Sequence, residues 1–382
     1  MTVNKIKAIY FIMFLALATW RVFYNVFLED KGFSGAEIGI INALIQATVF
    51  VVVPVWGYFA DKEGIRSTLR IAVIVTAVLM VILGYILNFW ILLFFIILLT
   101  VFYHPLSSLL DALAVQFTTN NNKHNYGSLR LWGSFGWAIS ALIGGILFTY
   151  VDLKLIFPLA AVFLLLTLFL LRIPRGDNVR YKPHFEKIHM KVILKDREML
   201  VFLVILLLYG FACSPVNAYI NLYFKELGAG NFTIGAAYFI QSLSELPFFV
   251  VGDRLVKKFG TAVVIIISMI SLFVRYAIYT FFPFVTSGLV LCILHGITFS
   301  FLMVGVVNYL HRKMPGRHAT AQSLLWVFYF GLGHTAGNLI IGILKDIVGM
   351  QGVMFVFTFV TFTILVGTSI AFFIRKNKSK PV

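Results

Sequence analysis

Apolar runs of about twenty residues or more recur along the whole chain, each closed by a short polar stretch rich in glycine, asparagine or charge. A run of that length crosses a bilayer as a helix, because about 30 Å of hydrocarbon is covered at a rise of about 1.5 Å per residue. The pattern predicts helices over 6–28, 36–60, 68–88, 90–118, 126–150, 153–172, 199–224, 232–256, 261–282, 285–311, 318–345 and 351–374. One interruption stands apart: residues 173–198 hold Pro174, Gly176, Pro183 and a dense set of charges, with six predicted spans on either side. The expected architecture is an all-α membrane protein of twelve transmembrane helices in two six-helix pseudo-symmetric bundles, 1–172 and 199–382, joined by a linker over 173–198. Local repeats support the halves. "PVWGYFADKEG" from Pro54 has a counterpart in "PFFVVGDRLVKKFG" from Pro247, and "LIGGIL" from Leu142 has one in "LIIGIL" from Leu339. An even number of spans per repeat gives both halves one orientation about an axis along the membrane normal.

Composition agrees, with 60% hydrophobic and 12% charged residues, but the net charge of +16 raises the question of a nucleic-acid partner. The positions of the basic residues answer it. Of 31 Lys and Arg, 24 fall on one side of the predicted spans, in clusters such as Lys62–Arg66–Arg70, 172–197 and Arg254–Lys257–Lys258. Only Lys31, Lys154, Lys225 and Lys345 fall on the other. This asymmetry is what the positive-inside rule requires, so it implies a cell-membrane protein with both termini and the linker in the cytoplasm, and no nucleic acid. Lys5 and Lys7 precede an apolar run with no small-residue cleavage pattern, which reads as a retained first span. Cys213 and Cys292 fall in separate spans and give no metal or disulfide signature; neither a cofactor nor an enzymatic constellation is expected.

Three basic residues remain inside spans, Arg21, Arg130 and Arg275, accompanied by His104, Asp111, Glu245, His295 and His334. Intramembrane ionisable groups are costly and are by default functional. Asp111 and Arg130 on neighbouring helices resolve each other's cost, and Trp137 shares a face with Arg130, as His104 does with Asp111, two helical turns away. A carboxylate, a guanidinium fork and a flat ring suit sugar hydroxyls or a substrate carboxylate. The alternative for Arg130 is to snorkel to the cytoplasmic interface with Asp111 as its neutraliser. Arg275 reads as a structural ion-pair partner of Glu245. Arg21 and His334 acquire no role from the sequence.

Residues 57–66, "GYFADKEGIR", set Gly57, Asp61, Gly64 and Arg66 in the loop between the second and third spans. This resembles the signature of the major facilitator superfamily, which implies that fold, alternating access, and a conformational role for the motif. "RLWGSFGWA", from Arg130, resembles the fifth-helix motif of the lactose permease group, where the arginine pairs with a helix-four carboxylate and a tryptophan seven residues later stacks on the sugar. The phenylpropionate permeases share "RLWGS" but commonly lack that tryptophan. Glu245, Arg275 and His295 fall where the lactose permeases carry their helix-eight glutamate, helix-nine arginine and helix-ten histidine. Their proton-coupling glutamate corresponds here to Thr298, their two lysines to Cys292 and about Phe330, and their helix-seven aspartates have no acidic match.

The resemblance thus implies a proton-coupled importer of a sugar or glycoside, acting as a monomer in the bilayer, with an aromatic or other small carboxylic acid as the second substrate class. Substrate contacts are expected from Asp111, Arg130, Trp137, Glu245 and His295, and proton coupling from Glu245 or Asp111, assisted by His295 or His104. Efflux transport and a non-transporting sensor are the less favoured functions.

Overall fold

The computed structural model describes residues 2–120, 126–171, 196–314 and 324–378. Lys123, Arg172, residues 173–195 of the expected linker and Arg317 lie outside them. In hydrocarbon every backbone N–H and C=O must be satisfied within the chain, so apolar runs of this length become helices. The described residues contain no strand. Their membrane-length helices are α1 (Val3–Asp30), α2 (Gly35–Glu63), α3 (Ile65–Leu83), α4 (Phe89–Thr118), α5 (Tyr126–Tyr150), α6 (Leu153–Leu170), α7 (Arg197–Ala218), α8 (Asn231–Phe259), α9 (Thr261–Phe281) and α10 (Val285–Lys313). The last apolar stretch, Trp326–Phe372, is far longer than a bilayer is thick, and Gly349 divides it with φ 69° and ψ 177°, a backbone conformation that a side chain would strain. The two parts, 326–348 (α11) and 350–372 (α12), complete twelve spans. Glu226 holds the division: its carboxylate accepts from the amides of Met350 at 2.6 Å and Gln351 at 3.1 Å, capping the start of α12.

Contacts group the chain into two compact units. One holds Met1–Phe33, Ala47–Phe185 and Gly230–Ser242, the other Ser34–Gln46, Glu186–Ala229 and Leu243–Val382. The grouping follows the two halves of the sequence except that the first parts of α2 and α8 are exchanged. The exchange rests on two glycine crossings. Within the second unit, a Cβ on Gly39 of α2 would stand 2.8 Å from the Asn338 carbonyl and 2.9 Å from Gly342 of α11. Within the first, a Cβ on Gly145 of α5 would stand 2.9 Å from the Asn231 carbonyl and 3.1 Å from Gly235 of α8. Each crossing has a polar clasp beside it. Asp346 accepts from the amides of Gly35 at 2.5 Å and Ala36 at 2.8 Å, and the side-chain amide of Asn231 donates to the Phe148 carbonyl at 2.6 Å.

Leucine at Gly39 or Gly145 would force backbone apart and is expected to cost on the order of 1–3 kcal/mol or more, lowering the thermal midpoint of the purified protein in detergent. Gly127, whose Cβ would meet nothing within 4 Å, supplies the control: Gly127→Ala is expected to leave the midpoint unchanged or raise it.

Candidate functional site

In the first unit, α5 crosses α1 so closely that Gly136 lies on the backbone of Phe11, leaving no room for a Cβ. That contact brings Tyr10 and Phe14, one turn apart on α1, against Arg130 of α5. The buried Tyr10 hydroxyl donates to Oδ1 of Asp111 at 2.7 Å, and Arg130 Nε lies 3.7 Å from the same oxygen. The Arg130 guanidinium stands over the Phe14 ring, 4.2 Å from its centroid, a cation–π arrangement. Tyr126, one turn before Arg130, lies near the Asp111 carboxylate. The side chains of Asp111 and Arg130 stay 34% and 35% exposed, so the pair is braced from behind by buried aromatics and open in front. At 3.7 Å the ion pair leaves much of the guanidinium fork to another acceptor. Trp137 is half-buried two turns along α5.

The second unit holds a chain of three charged or titratable groups. Gly296 packs on the Ser244 carbonyl and the Phe248 ring, bringing α10 against α8 beside Glu245. His295 Nε2 lies 3.3 Å from Glu245 Oε1, and its Nδ1 lies 3.5 Å from an Arg275 terminal nitrogen. Arg275 is fully buried, and its Nε and other terminal nitrogen have no hydrogen-bond partner among the described residues. The sequence expectation of a direct Glu245–Arg275 pair is therefore replaced by one mediated through His295. Since guanidinium can only donate, Nδ1 must accept and Nε2–H points to the carboxylate, giving a net-neutral Arg⁺–His–Glu⁻ arrangement. Glu245, at 22% side-chain exposure, is its open end. Thr298 sits behind, its hydroxyl donating to the Leu294 carbonyl at 2.9 Å and lying 3.2 Å from Ser271.

The remaining sequence candidates scatter. His104 stands at the break in α4, immediately before Pro105, which can donate no backbone hydrogen bond, and packs edge-on against Tyr103. Its backbone keeps helical angles, φ −60° and ψ −37°, across that position. Arg21 lies over Trp20 at the bend that divides α1. His334 is buried, its Nδ1 donating to the Tyr329 carbonyl at 2.8 Å and its Nε2 facing the Asn217 amide at 3.0 Å. Of the loop motif, Gly64 takes φ 90° at the turn after α2; Gly57, Asp61 and Arg66 are half-buried. Sequence reasoning missed Tyr10, Phe14 and Tyr126, and it missed two π-helical segments, Ile297–Phe301 and Trp326–Gly333, which adjoin His295 and His334. Such wide turns recur at functional sites. The four-residue spacings Tyr10–Phe14 and Tyr126–Arg130 were available as a signal. The π turns had none. Among the described residues, no three His, Cys, Asp or Glu cluster as a metal site.

A family model described as the MFS_1 like family matches residues 3–359. The chain belongs to that family, within the major facilitator superfamily. It is a multi-pass membrane transporter, and its similarities run to permeases. The transporter YwbF of Bacillus subtilis is 24% identical over 337 residues, covering 87% of this chain and 83% of that one. The maltose permease of Geobacillus stearothermophilus is 26% identical over 341 residues, covering 88% and 86%. The crystal structure of the nucleoside transporter NupG superposes with a TM-score of 0.86 at 16% identity, covering 97% of this chain and 99% of that one, a likeness of fold.

Proposed function

We propose that this major facilitator is a proton-coupled importer of a sugar or glycoside in the cell membrane, with both termini cytoplasmic, acting as a monomer by alternating access. The observation that carries the substrate class is the Tyr10–Asp111–Arg130 cluster with its open front and Trp137 two turns away on the same helix. A hydroxylated ring uses such a site fully: its O–H groups donate to the carboxylate and accept from the guanidinium, and its C–H face lies on the indole. The likeness to a maltose permease points the same way. Glu245 is the proton carrier in this reading, with His295 and Arg275 behind it. Taking up a proton converts the neutral arrangement to a net positive one, so protonation alters the charge the unit presents to the other binding groups.

The test is a substrate panel in proteoliposomes under an imposed pH gradient, comparing disaccharides, nucleosides and aromatic acids. Acid outside is expected to drive sugar uptake. Uptake of aromatic acids alone would overturn the sugar reading, and accumulation indifferent to the gradient would overturn the coupling. Trp137→Ala is expected to weaken sugar binding by on the order of tenfold, through the roughly 1 kcal/mol or more that an aromatic face contributes, with Trp137→Phe recovering part of it. Equal affinities in all three proteins would remove Trp137 from the site.

A further inference from the structure

On α7 the outward stripe is Val201, Val204 and Leu208, all exposed where lipid would lie. Asn217 stands nine residues beyond Leu208, two and a half turns, which sets it on the opposite side of the helix. Gly210, Ser214 and Asn221 on that side are buried, yet Asn217 is only half-buried. Its amide is therefore open on the side turned away from lipid, where an apolar side chain would ordinarily pack.

α11 runs along that same side. Gly210 lies on the Tyr329 carbonyl, Gly333 on that of Leu207 and Gly337 on the Ser214 hydroxyl, with no room for a Cβ at any of the three. The packing brings His334 beside Asn217, and the wide turn Trp326–Gly333 aims its ring. The Tyr329 carbonyl accepts the backbone N–H of His334 at the end of that turn, and the same oxygen accepts from ring Nδ1 at 2.8 Å. Tyr329 packs edge-on to the ring and Phe330 lies along it. Among the described residues no carboxylate forms an ion pair with this imidazole, and an unpaired charge at 2% exposure is costly, so the ring is neutral. A carbonyl can only accept. Nδ1 thus carries the proton, and Nε2 is left as an acceptor. The atom facing Nε2 at 3.0 Å is accordingly the amide nitrogen of Asn217, and its Oδ1 is turned away from the ring, with no hydrogen bond among the described residues.

We infer that His334 is a positioning residue of the solute site: it holds Asn217 so that the amide oxygen accepts a hydrogen bond from an O–H or N–H of the solute. A free asparagine offers a donor or an acceptor according to which way its amide turns. With the imidazole behind it, one end alone is offered. A solute hydroxyl meets that end with a proton, whereas a carboxylate would set lone pair against lone pair. The inference rests on the reading of the solute as a hydroxylated ring, and a nucleoside supplies the same donors as a sugar.

Isothermal titration of the purified full chain in detergent tests this, with maltose, sucrose and uridine as probes, followed by single-site deoxyfluoro analogues of whichever binds. Fluorine takes the place of a hydroxyl but cannot donate. At one fluorinated position the parent chain is expected to lose about tenfold in affinity, as for one hydrogen bond withheld from a site built to make it. In Asn217→Ala that position should become indifferent to the exchange, within about twofold, a difference smaller than one hydrogen bond. His334→Phe keeps a flat ring and removes the acceptor behind the amide, so it should bring the same indifference while every other position keeps its parent ratio. His334→Gln, whose side-chain carbonyl can accept from the same amide, should recover most of the discrimination. Asn217→Ala combined with His334→Phe should cost no more affinity than Asn217→Ala alone, because one residue acts through the other. Losses that multiply in the double variant would overturn the positioning role, and full discrimination in Asn217→Ala would remove Asn217 from the site and the proposal with it. Should His334→Phe not be recovered folded, His334→Met is read in the same way. Uridine bound with the expected pattern would sink the sugar reading and support this one; a sugar bound with no position tied to Asn217 would do the reverse.

Discussion

Glu245→Gln is expected to abolish uphill accumulation of substrate while sparing exchange. Glutamine keeps the shape of the side chain and a hydrogen bond to His295, but it can neither bind nor release a proton. Under a one-unit pH gradient, a single coupled proton supplies about 1.4 kcal/mol, which sustains about tenfold accumulation. In the variant the internal to external ratio should fall to one. Counterflow at equal pH on both sides, which needs binding and reorientation but no net proton movement, should stay within about threefold of the parent. The separation of the two readouts matters because Glu245 contacts His295, which in turn faces the buried Arg275. A variant that lost both activities would have lost its fold or its substrate site. Unchanged accumulation would remove Glu245 as the carrier, and a collapse confined to Asp111→Asn would move the proton to the first unit.

Arg130→Lys is expected to cut substrate affinity by about 10- to 100-fold with little change in thermal stability. The charge beside Asp111 is retained, so the carboxylate keeps a counterion. What is lost is geometry. Lysine presents one compact ammonium in place of a planar fork and cannot lie flat on Phe14, over which the guanidinium now stands at 4.2 Å. It can serve Asp111 or a ligand but not both in parallel directions. Hydrogen bonds to charged groups contribute about 1.5–3 kcal/mol each, and loss of one sets the expected range. Isothermal titration with the best substrate of the panel measures it. Undiminished affinity would mean that Arg130 serves Asp111 and the interface alone.

Much of the fold was legible from the apolar runs because bilayer thickness fixes helix length and leaves the backbone little other choice. The break between the last two predicted spans was legible in the same way, falling between 345 and 351; what spacing could not show is that Gly349 makes it and that Glu226 reaches from elsewhere to cap it. The ion pair Asp111–Arg130 was legible because an unpaired charge in hydrocarbon demands a partner. Its aromatic backing was legible only in part: the spacing of Tyr10 and Phe14 puts them on one face of α1, but the crossing at Gly136 decides that this face meets α5. The same limit explains Arg275. Charge complementarity pointed to Glu245, but the steric outcome at Gly296 put His295 between them. The π turns beside His295 and His334 follow from packing over a whole helix, and no local residue pattern encodes them.

The two glycine crossings stand in register with each other. Gly39 and Gly235 stand 196 positions apart, as do the turn glycines Gly32 and Gly228, and Gly64 and Gly260, while Gly145 and Gly342 stand 197 apart. Position for position, the first-half residue that meets a second-half partner at one crossing has its equivalent meeting the equivalent partner at the other. That reciprocity is the mark of an isologous contact, the kind made by two identical subunits about a two-fold axis. One polypeptide thus carries the same glycine contact twice, once in each unit. The two crossings differ in their clasps: a carboxylate at Asp346 holds one, a neutral amide at Asn231 the other. The two joints are thus alike in geometry and different in chemistry, one closed by a carboxylate that accepts from backbone amides, the other by a side-chain amide that donates to a carbonyl.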